Sequence, residues 1–387
     1  MMRAMPDQPG SACLVIADIS GYTSYLAGVE LDHAQDILAD LMGTVVGSLR
    51  PTFRLAKLEG DAAFVYAMTE TLDRSLLLDT VEATYFAFRR RLRDIAQASA
   101  CDCNACMRMP SLDLKLVLHH GPVAQQRMAG QAELVGRDVI VVHRLLKNDI
   151  VDALGLPAYA LYSEACLAAA GIDDPGALGL VRHEETYEHV GTVVGWVADL
   201  HRAWADETGR TVVELTPDNA ITSIQMDFPA PPAVVWEYVT SPVRRPKWQA
   251  GVEAVEEAAP AGRRGVGTVN HCVHGKDAIV EEILDWRPPT YFTVRSTLPL
   301  PGGPKFTMTD RLEATDGGTR ITSSIGNARS SRERALLAEL LEPMLFPMFK
   351  MGRGQLVEVL AQEMAGRPAG PAEPEVPLAV GREPVRA

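Results

Sequence analysis

The sequence predicts an α+β protein with two domains, and three observations support this prediction. The chain has 387 residues, which exceeds the usual domain length of about 100–200 residues. Strand and helix patterns alternate in its first half, whereas consecutive strands and then one long helix are indicated in its second half. Between them, Gly209, Pro217 and Asp218 interrupt the periodic patterns. We therefore expect domains over 12–205 and 220–365, joined by a linker over 206–219.

The first domain reads in the order strand, helix, hairpin, helix, strand, helix. Leu14–Ala17 is an apolar run typical of a buried strand, and apolar residues recur at helical spacing between about 33 and 49. Gly60-Asp61 separates two short strand-like runs and is suited to a tight hairpin turn. A further helix is expected over about 72–98. This order predicts a sandwich with helices on one face of a mainly antiparallel sheet.

The second domain has a different order. An alternating strand begins near residue 220, a proline turn and a helix follow it, and then come several more strand-like runs. One long helix is expected from about Ser331 to Met364, and Pro343 and Pro347 predict that it starts late or is kinked. A sheet that curves around one long helix is typical of a fold that encloses a cavity.

Composition excludes several classes of protein. Hydrophobic residues make up 47% and charged residues 22% of the chain, which predicts a soluble globular protein. The net charge of −13 argues against nucleic acid as a partner, and the basic run Arg89–Arg93 is expected to be a solvated helix face. No apolar run reaches the roughly 18 residues of a membrane span, and no signal-peptide core is present, so we expect a cytoplasmic protein. The small and polar residues of 1–11 and the dense Pro and Gly of 366–387 predict a flexible N-terminus and a disordered tail.

Asp18 and Asp61 each lie where a strand pattern ends. Carboxylates at adjacent strand ends can hold Mg²⁺ or Mn²⁺, which prefer oxygen ligands and share them with substrate phosphates. Aspartate is also a common turn residue. Spacing alone leaves both interpretations open.

Four stretches resemble class III adenylate and guanylate cyclases, in the same order along the chain. They are "ADISGYT", "KLEGDA", "LHHGPV" and "ELVGRDVIVVHRL", and they extend over most of residues 12–205. With "CDCNAC" and "HRLLKN", the chain also resembles a narrower cyclase-related group that carries a CxCxxC cluster. The resemblance implies a ferredoxin-like cyclase-homology domain, with Asp18 and Asp61 as ligands of Mg²⁺ or Mn²⁺.

The same resemblance implies the nucleotide contacts. The Ile19 backbone is an auxiliary metal ligand, and the backbone N–H groups of Gly21, Tyr22 and Thr23 are suited to the phosphates. Lys57 stands four residues before the hairpin aspartate, where lysine favours adenine, and Glu133 is its acidic partner. The nucleotide implied is therefore ATP. An alternative stays open, because Glu59 shares a strand face with Lys57 and can pair with it instead.

One departure from the family concerns turnover. Active cyclases present an asparagine and, four residues later, an arginine on one helix face; here Arg144 holds the arginine position but Ile140 replaces the asparagine. Loss of one oriented donor lowers rates by about a hundredfold or more. Two functions remain open: an adenylate cyclase that forms cyclic AMP, or a regulatory protein that binds nucleotide without turnover. Either needs a homodimer, because the family site forms between two such domains.

The cluster Cys101, Cys103 and Cys106 has three interpretations. It supplies three ligands of a zinc site, with the fourth from His119, His120 or a second copy of the chain. A reduced thiol loop and a redox-sensing disulfide are the alternatives. His119 and His143 lie within apolar patterns, so we expect core or interface histidines.

The segment from about 220 to 365 resembles the START-like helix-grip superfamily, also called polyketide cyclase or SRPBCC. The resemblance rests on "FPAPPAVVWEYVTSPVRRPKW" and on the long final helix. It implies a pocket for a hydrophobic small molecule, with binding rather than catalysis as its function. The residues expected to line that pocket, unless they pack as core, are Trp236, Met344, Met348 and Phe349.

Overall fold

The structure, a computed structural model, describes residues 10–29, 31–50, 52–98, 103–128, 131–260, 262–299, 303, 305–327 and 331–366. Residues 1–9 and 367–387 of the predicted flexible ends lie outside these ranges, as does Cys101, whereas Gly10 and Ser11 belong to the first strand and Gly366 to the last helix. The chain divides between Gly209 and Arg210 into two compact units, at a point inside the expected linker. Within the described ranges, no helix is both long enough and apolar enough to cross a bilayer.

The first unit is a mixed sheet with helices packed on it. Its strands are β1 (Gly10–Ser20), β2 (Arg54–Glu59), β3 (Ala62–Met68), β4 (Asp113–Met128), β5 (Gln131–Val135), β6 (Tyr159–Ser163), β7 (Val181–Tyr187) and β8 (Gly191–Asp199). Its helices are α1 (Tyr22–Leu26), α2 (Leu31–Leu49), α3 (Arg74–Ala98), α4 (Asn104–Arg108), α5 (Arg137–Leu145), α6 (Ile150–Leu154), α7 (Glu164–Ala169) and α8 (Leu200–Gly209). The strand order is β2-β3-β1-β4-β6-β8-β7, with β5 paired to β4. Among the described pairings of this unit, β4 with β6 is parallel and the others are antiparallel, which confirms the α+β prediction.

The expectation of helices on one face of this sheet is wrong. Val15 and Ala17 of β1 join a core with α2 and α3, whereas Leu14 and Ile16 join a second core with α5 and α6 on the other face. The physical reason is the composition of β1, which is apolar at consecutive positions and therefore buries both faces. Helices cover both sides of the strand that carries Asp18.

Two features of this sheet position the candidate site. The β2–β3 hairpin turns through Gly60 and Asp61, as predicted, and Gly60 has the left-handed φ of +71° that glycine accepts without strain. Strand β4 is 16 residues long. Its first part pairs with β1 from Asp113 to Val123, and its last part pairs with β5 from Ala124 to Met128.

In its described residues, the second unit is one antiparallel sheet with two α-helices. Its strands are β9 (Ala220–Phe228), β10 (Ala254–Ala258), β11 (Val269–His274), β12 (Asp277–Arg287), β13 (Tyr291–Thr297), β14 (Lys305–Thr315) and β15 (Gly318–Asn327), in the order β10-β11-β12-β13-β14-β15-β9. Its helices are α9 (Pro232–Thr240) and α10 (Ser331–Gly366). The long final helix is confirmed, but its late start is wrong, because Pro343 and Pro347 lie inside it; the kink stays a prediction. Both helices contribute to the core on one face of the sheet, which we call the inner face.

Most residues assigned to a linker are attached to one unit or the other. Helix α8 continues to Gly209 in the first unit. The Val213 N–H donates to Asp285 Oδ2 at 2.9 Å, and the Leu215 N–H donates to Thr309 Oγ1 at 2.9 Å. This segment therefore lies along the outer face of the second sheet.

Candidate functional site

The structure brings Asp18 and Asp61 to one end of the first sheet. Asp18 pairs in register with Ala62 at the start of β3, and the Ile19 N–H donates to the Asp61 carbonyl at 3.0 Å. Burial raises the pKa of the Asp61 carboxyl, and the negative charge of Asp18 raises it further. The two carboxylates thus face the same volume. The Ile19 side chain is buried in the core, which leaves its backbone as the group available at this end.

A lysine that the sequence reading missed pairs with Asp18 at this end of the sheet. Lys115 stands opposite Asp18 in the β1–β4 register, and its Nζ lies 3.0 Å from Asp18 Oδ2. Its charge also acts to lower the pKa of Asp61. The site therefore already attracts a cation, and its donor set of two carboxylate groups fits a divalent metal ion that displaces the ammonium group.

Lys57 is paired with Glu59, at 2.8 Å between Nζ and Oε1. This hydrogen bond raises the pKa of Lys57, and the charge of Glu133 on β5 raises it as well. The charge of Glu133 thus acts on Lys57, and their joint contact with a nucleotide base stays a prediction. The competing interpretation also holds, since Glu59 occupies the lysine.

Helix α5 presents Ile140 and Arg144 to solvent. Ile140 is 55% exposed, and the Arg144 side chain is exposed without a hydrogen bond or ion pair to any described residue. They are four residues apart and share one helix face. An exposed isoleucine donates no hydrogen bond, so this face offers one cationic donor where the family offers two polar groups.

Two histidines anchor α5 to the sheet. The His143 Nε2 lies 3.2 Å from Glu59 Oε1, and its ring packs edge-on against Phe64. Burial lowers the pKa of His119, and the neutral ring accepts from Ser163 at 2.8 Å and donates to Asp138 at 2.9 Å. Both are core or interface histidines, as predicted.

Asp138 reaches His119 across Gly121 of β4. A Cβ atom built on Gly121 would lie 2.4 Å from Asp138 Cγ, so any side chain there would displace this carboxylate. Close packing against Asp138 therefore requires a glycine at position 121, in addition to the motif "LHHGPV" that resembles the cyclases. It fixes α5, and with it Ile140 and Arg144, against β4.

The remaining nucleotide and zinc predictions stay predictions. Gly21 has a φ of +84° and precedes α1, whose first N–H groups include those of Tyr22 and Thr23. Cys103 precedes α4 and Cys106 lies within it, both partly buried against the first core, whereas Cys101 lies outside the described residues. The two histidines offered as a fourth zinc ligand have other partners: His119 as above, and His120 with the Thr69 carbonyl at 2.9 Å.

The basic run on α3 is engaged within the first unit. Arg91 donates to Asp40 at 2.7 Å, Arg90 lies 5.8 Å from the ring centre of Trp204, and Arg89 lies 3.6 Å from Asp113. These contacts agree with the reading of this run as a helix face rather than a binding patch.

The structure also forms one acidic and histidine group that the sequence reading missed. His183 Nε2 lies 2.9 Å from Glu185 Oε1 and 3.3 Å from Asp149 Oδ1, so the three could hold a metal ion. The group also satisfies itself, because the Asp149 N–H donates to the same Glu185 oxygen at 2.7 Å. The alternation of His183 and Glu185 on β7 was the available signal.

In the second unit, the predicted pocket residues have different surroundings. Trp236 is 3% exposed and packs against Trp286 and Phe292, with ring centres 4.8 and 5.5 Å away. Phe349 of α10 is partly buried. The side chains of Met344 and Met348 lie outside the described part of the structure. Trp236 therefore belongs to the packed core between α9 and the inner face.

Family comparisons separate the two units. Residues 219–360 match the family model described as polyketide cyclase / dehydrase and lipid transport. The second unit is therefore similar to this family. Residues 38–153 match a different model, described as a protein of unknown function, DUF2652. The START-like resemblance of the C-terminal segment is thus confirmed.

Similar proteins include one curated sequence and two cyclase structures. An uncharacterized protein of Mycobacterium tuberculosis is 39% identical over 113 residues, which are 29% of this chain and 52% of that protein. The chain thus spans about half the length of this relative. The guanylyl cyclase Cya2 is 16% identical with a TM-score of 0.39, over 50% of this chain and 93% of its own. The adenylyl cyclase CyaB from P. aeruginosa is 14% identical with a TM-score of 0.37, over 50% of this chain and 95% of its own.

Proposed function

We propose that the first unit binds a divalent cation with ATP at Asp18 and Asp61 and does not turn the nucleotide over efficiently. The observation that carries this proposal is the placement of Asp18 and Asp61 at one sheet end, where Lys115 pairs with Asp18 and the charges of Asp18 and Lys115 both act on the pKa of Asp61. Two carboxylates that already draw in a positive charge at a strand end are suited to Mg²⁺ or Mn²⁺, and such an ion binds nucleotide phosphates.

The isoleucine at position 140 supports the proposal that turnover is inefficient. The resemblance places an oriented asparagine at this position, and an isoleucine with 55% of its surface exposed supplies no hydrogen bond. Arg144 alone remains on that helix face. Loss of one donor of this kind lowers a rate by about a hundredfold or more.

A homodimer is part of this proposal. Ile140 is an exposed apolar residue beside Arg144 on α5, and a second copy of the chain that covered this face would complete the site. Sedimentation of the full chain should give a dimer, and Ile140→Glu should weaken it. A wild-type monomer at all concentrations would contradict the shared site.

The second unit is proposed to bind a hydrophobic small molecule, in line with the lipid-transport description of its family model. We further propose that its occupancy changes nucleotide affinity in the first unit. This coupling is motivated by the fusion of the two units in one chain. If no apolar ligand changes the nucleotide affinity, the proposed coupling is wrong.

The nucleotide proposal is tested with the full chain by calorimetry and product analysis. Binding of ATP should depend on Mn²⁺, should exceed binding of GTP, and should yield no cyclic AMP above background. Asp61→Asn should abolish the Mn²⁺ dependence. The matched control is Asp36→Asn, because Asp36 is an exposed carboxylate on α2 with no described side-chain partner.

Adenylate cyclase activity is the second candidate, and the electrostatic influence of Glu133 on Lys57, the two residues expected to read the base, favours it. Its discriminating variant is Ile140→Asn, which returns the missing donor. If Ile140 is what limits turnover, cyclic AMP formation should rise by about a hundredfold. Cyclic AMP formed by the wild type and lost in Asp61→Asn would favour the enzyme, whereas no Mn²⁺-dependent nucleotide binding would overturn both candidates.

A further inference from the structure

The last strand of the first sheet and the connection after α5 bring together three side chains of the types that bind metal ions. We call them the edge cluster, and its members are Asp149, His183 and Glu185. His183 and Glu185 lie at alternate positions of β7, which pairs with β8 at one end of the strand order. Both are partly sheltered from solvent, whereas the residues on either side of each are exposed. They therefore share the face of β7 on which Asp149, the residue directly before α6, meets them.

The distances within the edge cluster match those between the ligands of one metal ion. His183 Nε2 lies 2.9 Å from Glu185 Oε1 and 3.3 Å from Asp149 Oδ1. Nitrogen and oxygen ligands lie about 2.0–2.2 Å from Zn²⁺, so two of them at an octahedral or tetrahedral angle are about 3.0–3.4 Å apart. An ion can therefore take the position of the ring hydrogen that His183 shares with the two carboxylates. The ring then carries its hydrogen on Nδ1.

The three side chains are positioned before an ion binds. The side chains of His183 and Glu185 are 10% and 16% exposed. The Asp149 N–H donates to Glu185 Oε1 at 2.7 Å, and the preceding residue, Asn148, accepts from the Tyr159 hydroxyl group at 2.8 Å. These bonds hold the connection against the sheet, which lowers the cost of assembling a site. The Asp149 side chain is 64% exposed, so water molecules can complete the coordination of an ion.

Among the described residues, the edge cluster has no lysine or arginine to balance its carboxylates. Asp18 pairs with Lys115, whereas the ion-pair partner of both Asp149 and Glu185 is His183. One imidazole ring offsets at most one negative charge. With both carboxylates ionised, the cluster is therefore negatively charged, and a divalent cation would balance that charge.

The same face of β7 also carries a buried hydroxyl group that the protein does not satisfy. Tyr187 lies two residues after Glu185, and its Oη has no hydrogen-bond partner among the described residues. Burial raises the pKa of Tyr187, and the charge of Glu185 raises it further. Because buried polar atoms are usually paired with protein or with ordered water, we expect water on this face. A hydrated ion is compatible with such surroundings.

We propose that Asp149, His183 and Glu185 bind one Zn²⁺ ion, at a site separate from Asp18 and Asp61. One imidazole nitrogen with two carboxylate oxygens is a donor set that suits Zn²⁺, whereas Mg²⁺ prefers oxygen ligands alone. The ion joins the connection between α5 and α6 to the edge strand, and it stabilises the fold of the first unit. This inference does not depend on nucleotide binding.

Zn²⁺ binding is measured by titration calorimetry on a full chain in which Cys101, Cys103 and Cys106 are replaced by serine, with Mg²⁺ in excess. The serines remove the thiols that compete for Zn²⁺, and Mg²⁺ competes at oxygen-only sites. One Zn²⁺ should bind per chain. Absence of Zn²⁺ binding to this thiol-free chain would overturn the inference.

Histidine variants of the thiol-free chain assign the site. Loss of a group that only orients a ligand costs about 10–100-fold in metal affinity, so His183→Gln, which removes the ligand itself, should weaken Zn²⁺ binding about a hundredfold or more. The matched control is His189→Gln, because His189 follows the same strand and its side chain is 84% exposed. Equal Zn²⁺ affinities of the two variants would overturn the assignment.

An aspartate variant separates metal binding from folding. Asp149→Asn changes an exposed side chain that does not cap α6, so the metal-free unfolding temperature should stay the same while Zn²⁺ affinity falls about tenfold or more. Zn²⁺ at 100 times the Kd of the thiol-free chain should raise its ratio of folded to unfolded protein about a hundredfold, and that of the variant about tenfold or less. The control is Asp152→Asn, an exposed carboxylate on α6. Equal losses in the two variants would show attraction by local charge alone and would overturn the site.

Discussion

Each unit of the molecule holds two carboxyl groups beside one basic side chain, and the two arrangements differ in how the cation is held. In the first, Lys115 makes one contact of 3.0 Å with Asp18 and is 23% exposed. In the second, Arg245 makes two contacts with Glu281 and is 8% exposed. Lysine is a flexible point charge, whereas arginine binds a carboxylate through a planar fork.

The difference teaches what each arrangement can do. At the accessible sheet end of the first unit, a metal ion can replace the ammonium group because the lysine can move into water. Inside the second unit, the guanidinium group is fixed by two hydrogen bonds, and burial raises the pKa of the remaining carboxyl group, Asp310, to about 6. Similar groups thus favour an exchangeable cation site in one unit and a fixed ion pair beside a carboxyl group of raised pKa in the other.

The largest effect should come from breaking the fixed pair. Arg245→Met leaves Glu281 buried without its partner, and we expect the free energy of unfolding to fall by about 3–5 kcal/mol. The unfolding transition of the second unit in chemical denaturant would measure this loss of free energy. The double variant Arg245→Met with Glu281→Gln should recover part of the loss, and a single variant as stable as the wild type would show that the pair is not fixed.

A smaller effect is expected from Asp310. Its pKa is about 6 when folded, above the usual value of about 3.9, so the protonated form stabilises the fold. This contribution is complete below about pH 4 and is lost as the pH rises through about 6. Asp310→Asn should therefore flatten the stability profile between these values, by on the order of 2 kcal/mol. The exposed Asp316→Asn is the control, and parallel profiles for all three proteins would contradict the assignment.

Removal of the ammonium group of Lys115 should strengthen metal binding at Asp18 and Asp61. Lys115→Met leaves Asp18 and Asp61 without the competing ammonium group, and we expect Mn²⁺ affinity to rise by about tenfold or more, since adjacent charges interact by about 1–4 kcal/mol near a surface. Calorimetry with Mn²⁺ alone measures this. Lys115→Arg keeps the charge and should bind as the wild type does. An unchanged affinity in Lys115→Met would mean that the lysine does not occupy the cation site.

The smallest effect concerns Glu59. Its ion pair with Lys57 is exposed, with side chains 26% and 43% accessible, and such pairs contribute about 0.2–1 kcal/mol. Glu59→Gln should release Lys57 and raise the preference for ATP over GTP by up to about fivefold. Competition binding of the two nucleotides measures the ratio. Lys57→Gln should abolish the preference, and a lower ratio in Glu59→Gln would show that the pair itself reads the base.

Much of the fold followed from the sequence because local patterns determine it. The hairpin at Gly60-Asp61 and the long helix from Ser331 have clear local signals. The second face of the first sheet was missed, although the unbroken apolar run of β1 already indicated burial on both sides. Helix α5 was identified, but its position on that face depends on contacts with distant strands.

The candidate sites were predictable only in part. Asp18 and Asp61 lie at strand ends, so their chemistry was visible. Lys115 was not, because its closeness to Asp18 depends on a register between strands 97 residues apart. Asp310 had a signal that went unused: it interrupts the alternating apolar positions of "KFTMTDRLEA", where an inward carboxyl group needs a reason.

Strand β4 places an unusual constraint on the evolution of this chain. Along its 16 residues it carries Lys115, His119 and Gly121, and it then pairs with the strand that carries Glu133. Insertion or deletion of one residue within it would turn every later side chain to the opposite face. Length differences among relatives should therefore fall outside this strand, and its spacing should serve as a reference when distant members are aligned.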